Sequence, residues 1–527
     1  MQIYSFSPFG YEGNLVTVEV DLRRGIPAID VVGLADNAVR ESRERMRSAI
    51  INSGFDFPME RVLISLSPAD LKKEGAGFDL PLAAATLLAQ KEFNERNQAD
   101  LKFRADDGGG ILIMGELELS GSVRPVRGIH AAAATAAQNG ITKCIVPQAN
   151  GDEAREVKGM SVCAVNSLSE AWAALSHPEN FSETSPAEEA FIPENSVSIN
   201  GLLFPAESAD NQFSSIRGQK DLVRALEIAA AGGHNLLAYG PPGCGKTLAL
   251  QRFPELLPLL TVEEAQSVTR IHSLAGLLKP NEPLIRTAPF RMPHQTASIE
   301  GICGGGINCR PGEISLAHNG VLFLDEAAEF KSSVLQMLRV PVENKMITLC
   351  RAGRSTVYPA GFQLLMATNP CPCGNYGSSS KICLCSAKSV DMYWRKFSGP
   401  LLDRIDIRIK VENPGENDTD YSVPTHVLRE SVARAVKIQR KRQGKKNANL
   451  TPQEILDFCI LDESERKFME EIEISNDFSK RALSSILKLS RTLADMEEKE
   501  NIGVRHLKEA IRLRSDSGPL SLFAGDL

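Results

Sequence analysis

The residues Gly240-Pro-Pro-Gly-Cys-Gly-Lys-Thr247 follow the spacing G-x-x-x-x-G-K-[ST] at every fixed position. Glycines at this spacing let successive backbone N–H groups turn inward around phosphate oxygens, and a helix beginning at the last residues adds the positive end of its dipole. Gly240, Pro241, Pro242, Gly243, Cys244 and Gly245 would form the cradle. Lys246 would reach the β and γ phosphates of ATP, and Thr247 would hold Mg²⁺. An apolar stretch, Asn235-Leu-Leu-Ala-Tyr239, precedes the loop, and a helix-compatible run, Leu248-Ala-Leu-Gln-Arg-Phe253, follows it. That is the strand, loop and helix setting such a motif needs.

Two further strand ends could complete a hydrolytic site. Val321-Leu-Phe-Leu-Asp325-Glu326 is an apolar run ending in two acids, and open α/β sheets bind ligands at the C-terminal ends of their strands. Asp325 would hold Mg²⁺, directly or through water, and Glu326 would polarise the attacking water. Gln363-Leu-Leu-Met-Ala-Thr368 ends in Asn369, whose side chain could orient water against the γ phosphate. An asparagine at a strand end is also a common turn former.

Cys371-Pro-Cys373 and Cys383-Leu-Cys385 follow directly. Four thiolates so bunched can surround one tetrahedral Zn²⁺ in a closed structural site. The compartment matters to that reading. The chain has 527 residues and a net charge of −7, so no global basic character advertises nucleic acid, although a local basic lining would suffice. No apolar run approaches the length of a membrane span, and Met1-Gln-Ile-Tyr-Ser-Phe-Ser-Pro-Phe-Gly10 lacks a signal-peptide design. A cytoplasmic protein with reduced thiols is expected, in which clustered cysteines suggest metal rather than disulfides.

The elements that must position these groups fall into three domains by pattern. Residues 1–175 read as α/β, with strands at Leu15–Leu22, Val62–Leu66, Ile111–Met114 and Cys144–Val146. Helices are expected from Asp36 to Ser53, closed by Gly54, and from Ile129 to Asn139, closed by Gly140. Residues 176–212, rich in Ser, Glu, Pro and Asn, read as a linker. Residues 213–415 carry the nucleotide motifs and the cysteine loop, 371–385. Residues 416–527 form a helical domain, with amphipathic segments at Val427–Arg442 and Lys480–Glu498.

The order of phosphate loop, Asp-Glu strand and Asn strand resembles the AAA+ superfamily. Longer stretches are similar to its magnesium-chelatase-like members of the YifB/ComM type. These are Asn211-Gln-Phe-Ser-Ser-Ile-Arg-Gly-Gln219, Arg224–Asn235, Arg310–Glu326, Ser398-Gly-Pro-Leu-Leu-Asp-Arg-Ile-Asp406, Val31-Val-Gly-Leu34 and Ser67–Gly75. The resemblance spans nearly the whole chain apart from 176–212. It implies an α/β fold class with an AAA+ P-loop αβα core, a C-terminal helical lid, and a homo-hexameric ring with ATP at subunit interfaces. Arg404 falls where relatives carry an arginine finger, which stabilises charge on the γ phosphate. Arg481 resembles the lid arginine called sensor 2, with Arg491 a rival in the same helical region. Pro293-His294-Gln295-Thr296 departs from the family, which has two adjacent histidines there, so histidine-pair chemistry is not expected.

The run Gly115–Gly128 resembles Lon-type proteases, implying a Lon-protease-like (ribosomal S5 domain 2-like) N-terminal fold. Leu82 stands at the nucleophile position, and Gly128-Ile-His-Ala-Ala132 offers no lysine, so proteolysis is not expected. Two insertions suggest contacts with a substrate in a central pore. One is a glycine-rich loop over 291–312. The other is a hairpin over 346–360 turning at Ala352-Gly353, with Arg351 and Arg354 suited to DNA phosphates. The basic run Lys437, Arg440, Lys441, Arg442, Lys445 and Lys446 could bind DNA or merely face water. The expected function is an ATP-driven DNA motor, a helicase or branch-migration enzyme in recombination or natural transformation. The alternatives are a protein remodeller and a chelatase-like motor subunit.

Overall fold

The structure, a computed structural model, describes residues 2–71, 73, 75–97, 109–177, 181, 191–194, 196–207, 212–279, 282–306, 308–351, 354–376, 381–413, 421–476 and 478–515. The N-terminal part is built on a seven-stranded sheet. Its spatial order is Ile29–Val32, Arg61–Ser67, Asn14–Arg23, Ile3–Ser7, Ile111–Ile113, Lys143–Pro147 and Ser161–Val165. Asn14–Arg23 runs antiparallel to both neighbours, and the remaining pairs are parallel. Its Val16 and Val18 are buried, as alternation requires of a half-covered strand. Asp36 caps the helix Asn37–Asn52 by accepting from the Val39 N–H at 2.8 Å.

The helix Asp79–Asn97 was not foreseen. Its Leu82 is fully buried in the core under the sheet, so a hydrophobic side chain fills the place a nucleophile would need. Asp79 is equally committed: Arg45 Nε donates to it at 2.7 Å, the Leu117 N–H at 3.2 Å, and the Ser42 hydroxyl also donates.

The stretch read as a linker holds a small hairpin, Val197–Ile199 against Leu202–Phe204. The Leu259 N–H donates to Leu203 O at 2.7 Å, and buried Phe204 lies under the Arg429 guanidinium, 5.5 Å from its ring centre. Too short for a detectable period, the hairpin is held by partners distant in sequence. Much of the remainder, including 182–190, lies outside the described residues.

The nucleotide motifs lie on a five-stranded parallel sheet. Its order is Phe290–Arg291, Val321–Leu324, Gln363–Thr368, Leu236–Tyr239 and Ile407–Lys410. The three central strands are buried throughout, which explains their continuous apolar runs. Helices Thr425–Gln443, Pro452–Phe458, Glu463–Asn476, Lys480–Met496 and Val504–Ser515 form the C-terminal part. Val432, Val436, Leu489 and Leu493 of that part share one core with Leu226 and Leu236.

Two sequence expectations change here. The glycine-rich loop over 291–312 contains a short helix, Ile299–Cys303, and a ribbon pairing Gly304–Gly305 with Arg310–Pro311, with Cys303 and Cys309 buried. The basic run is largely spent on internal partners. Arg442 forks onto Asp495 at 2.7 and 2.9 Å, Lys445 pairs with Glu454 at 2.7 Å, Lys437 donates to Asn200 O at 3.2 Å, and burial pulls the half-buried Lys446 amine below its ordinary pKa. The hairpin Met346–Arg351 with Arg354–Pro359 is antiparallel, and Arg351 pairs across it with Arg354.

The N-terminal part is latched to the base of this hairpin. The Tyr11 N–H donates to Thr356 Oγ1 at 3.2 Å, and the Tyr11 ring meets Tyr358 edge-on at 6.0 Å. From the helix Val262–Ala275, Arg270 lies over the Tyr11 ring at 4.7 Å and donates to the carbonyls of Tyr11 and Glu12, each at 3.0 Å.

Candidate nucleotide site

Because the sheet is parallel, the ends of its strands at Tyr239, Leu324 and Thr368 open on the same edge, and the next residues are Gly240, Asp325 and Asn369. Gly243 and Gly245 take φ of +82° and +86°, the left-handed region a tight cradle demands of glycine. The helix Lys246–Gln251 starts at once.

Lys246 is nearly buried, and its amine donates to Gly240 O and Pro241 O, both at 2.8 Å, and to Asn369 Oδ1 at 3.4 Å. Burial pulls the Lys246 amine below its ordinary pKa. A polyanion beside it would reverse that penalty, so the buried cation suits a phosphate group. Thr247 Oγ1 donates to Asp325 Oδ1 at 2.9 Å, which puts two oxygen ligands of the kind Mg²⁺ takes side by side. Glu326 follows with φ of +47°, its N–H donating to Asp325 Oδ1 at 3.0 Å, and Gln295 Nε2 donates to its carboxylate. Sequence reasoning noted Gln295 only as a departure from a histidine pair. Gln219 was also missed. It clamps the cradle from behind, donating to Cys244 O at 3.0 Å and Glu412 O at 2.9 Å.

Arg404 and Arg481 are not in this cluster. Asn235, at the opposite end of the Leu236–Tyr239 strand from Gly240, donates through Nδ2 to Arg404 O at 3.0 Å. The backbone of Arg404 therefore sits at the far edge of the sheet from the phosphate loop. Its guanidinium binds Glu343, and Arg481 binds the other oxygen of the same carboxylate. The hydrogen bond from Arg404 is the main reason the Glu343 carboxyl lies below its usual pKa. Nothing in the sequence points to Glu343, which is remote from both arginines along the chain. Arg491 is buried and satisfied, holding Asp495 at 3.1 Å and the carbonyls of Lys499 and Glu500 at 2.5 and 2.6 Å.

The four cysteines converge, with every sulfur within 4.8 Å of the others. Three separations are 3.4, 3.6 and 3.7 Å. A tetrahedral Zn²⁺ with ~2.3 Å bonds sets sulfurs about 3.8 Å apart, so the group fits that ion. Arg351 is exposed on the hairpin. Arg354 is placed in its strand, but its side chain lies outside what is described.

Comparison with known proteins agrees with this geometry. Residues 212–419 match the family "Magnesium chelatase, subunit ChlI", residues 18–150 match "Subunit ChlI of Mg-chelatase", and residues 422–514 match its C-terminal family. YifB of Escherichia coli K12 is 37% identical over 97% of this chain and 96% of its own length. Competence protein ComM of Haemophilus influenzae is 37% identical over 97% of each chain. The chain belongs to the YifB/ComM family of magnesium-chelatase-like proteins. A more distant similarity joins this family member to a zygotic DNA replication licensing factor, mcm6-A, of Xenopus laevis, 21% identical over 58% of this chain and 37% of the other. The mixed α/β architecture with its parallel sheet accords with an AAA+ core of this family. Among the described residues, no helix is long and apolar enough to cross a membrane.

Proposed function

We propose that this protein is an ATP-hydrolysing ring motor that acts on DNA. The observation carrying this reading is the division of the site. Lys246, Thr247, Asp325, Glu326 and Asn369 meet at one edge of the sheet, and Arg404 with Arg481 gathers at the other. An arginine held there cannot serve its own chain's nucleotide, but a neighbouring copy turned head to tail brings it to the next subunit's phosphates. A heterologous contact of that kind closes into rings, and a hexamer is the expected closure.

In this reading the cradle Gly240–Gly245 and Lys246 hold the triphosphate, and Thr247 and Asp325 are the residues that would hold Mg²⁺. The ion would neutralise charge between phosphate oxygens. Glu326 orients and deprotonates the attacking water once Gln295 releases it, and Asn369 positions that water against the γ phosphate. Arg404 and Arg481 of one copy stabilise the charge that develops on the neighbour's nucleotide. Cys371, Cys373, Cys383 and Cys385 would hold one structural Zn²⁺.

DNA is supported by the exposed Arg351 and by the hairpin of about 20 Å that carries it. The printed names of two relatives, a competence protein and a DNA replication licensing factor, favour the same substrate. The test is ATP turnover with and without single-stranded or forked DNA at low salt. Several-fold stimulation is expected, lost in Lys246→Ala. No stimulation and no binding would reject DNA as the substrate, and stimulation by an unfolded polypeptide instead would identify a protein remodeller.

A further inference from the structure

The four-cysteine loop and the phosphate cradle touch, although the sequence separates them by more than a hundred residues. Gly374, between the second and third cysteines, has φ of +78°, and a Cβ built on it would lie 2.7 Å from Pro242 Cδ and 3.2 Å from its Cγ. Its N–H closes a turn onto Cys371 O at 2.9 Å. The loop backbone thus rests directly on a proline of the cradle, with no room for even one methyl group.

Both ends of the loop are tied to strands of the nucleotide site. Asn369, in hydrogen-bond reach of Lys246 at 3.4 Å, stands two residues before Cys371. After Cys385, Ser386 caps the helix Ala387–Arg395, whose Trp394 indole N–H donates back to Pro370 O at 2.9 Å. The Trp394 ring meets Tyr239 edge-on at 5.6 Å, and Tyr239 immediately precedes Gly240. Tyr393 OH and Thr368 Oγ1 are 3.0 Å apart.

The outer half of the loop is more open to water. Cys371 is buried, but Cys373 is exposed, and Ile382 and Leu384 beside the third and fourth cysteines are 84% and 89% exposed. Among the described residues of this half, Tyr376, Cys383 and Cys385 reach the core while only partly buried, so a metal bound to all four sulfurs would add a direct link between its two limbs.

We propose that the metal-loaded cysteine loop is a brace that sets Pro242 and Asn369, and that Gly374 is its positioning residue, so that zinc occupancy governs nucleotide affinity. This rests on the reading of the four cysteines as a zinc site. Zinc content and the dissociation constant of a fluorescent ATP analogue are to be measured on the full chain. The samples are wild type before and after chelation and after zinc is restored, Gly374→Ala, and Gly374→Ala/Pro242→Ala. Wild type should carry one zinc per chain, lose affinity about tenfold on chelation and regain it with zinc. Gly374→Ala should keep its zinc and its folded circular-dichroism spectrum yet bind nucleotide about tenfold more weakly, and removing the Pro242 ring should restore part of that loss. A purified chain without zinc overturns the metal reading itself. Zinc present, with affinity indifferent to both chelation and Gly374→Ala, overturns the brace alone. A Gly374→Ala loss that Pro242→Ala does not relieve rejects the Gly374–Pro242 contact as its route.

Discussion

Asp495 and Glu343 each gather two arginines, and the two clusters differ in what surrounds them. Arg442 and Arg491 share Asp495, which is fully buried and also accepts from Asn447 Nδ2 at 2.8 Å. Arg404 and Arg481 share Glu343, whose side chain is 42% exposed. In the first cluster Asp495 and Arg491 have given up water and depend on their partners, while Arg442 is half-buried. Removing one partner strands an ion. In the second, Arg404 is half-buried but Glu343 and Arg481 are exposed, so water or another anion can compete for Glu343's place, because exposed ion pairs contribute little. The buried carboxylate is a clasp, and the exposed one is an exchangeable partner for its two cations. A phosphate group of a neighbouring copy is the exchange partner proposed above. In the basic run at 437–446, Lys445 is likewise held on a carboxylate, Glu454, while Lys437 and Lys441 stay exposed.

Four substitutions probe the contrast. The largest effect is expected from Arg404→Ala: turnover should fall by a factor on the order of 10³ or more, while nucleotide affinity stays near wild type. Survival of ATPase activity in steady-state assays would remove Arg404 from the finger role. Asp495→Ala should act on stability instead, costing about 3–5 kcal/mol because the buried Arg491 and the half-buried Arg442 lose their carboxylate. Denaturant melts would show this, and an unchanged midpoint would make the clasp no different from the exposed pair. Arg481→Ala should slow turnover about tenfold with little change in melting. In rings mixed with Lys246→Ala subunits, its defect should appear only where it faces a loaded neighbour; a defect confined to its own site would contradict the placement at the far edge. Glu343→Gln should be mildest, changing stability by no more than ~1 kcal/mol. Its turnover should stay equal to or slightly above wild type, because the arginines are freed rather than lost. A severe loss there would mean that Glu343 is part of the catalytic arrangement.

The nucleotide cluster was legible because its chemistry is local to strand ends. A cradle of fixed spacing, an apolar strand closing in Asp325-Glu326 and another in Asn369 each carry their own signal, and a parallel sheet must open them on one edge. The cysteine set was legible for a similar reason, its two pairs lying within one loop. The hairpin at 197–204 was not, because strands so short have no measurable period and are held by Leu259 and Arg429 from elsewhere. Gln295, in a stretch already noticed, acquires meaning only from its contact with Glu326. The different surroundings of Arg481 and Arg491 were equally beyond the sequence, since both lie on one amphipathic helix and only packing buries Arg491.

By itself the sequence determined which residues could grip a triphosphate and its metal, and that Leu82 could never be a nucleophile, because these follow from side-chain type and short spacing. Tertiary structure decided which carboxylate holds each charge and how far that carboxylate is buried. It gathered Arg442 and Arg491 on a buried Asp495, left Arg404 and Arg481 on an exposed Glu343 at the sheet edge opposite the phosphate loop, and set Gly374 against Pro242. Burial and long-range contact arise only when distant segments pack, and the energy of a charge depends on its surroundings far more than on its identity.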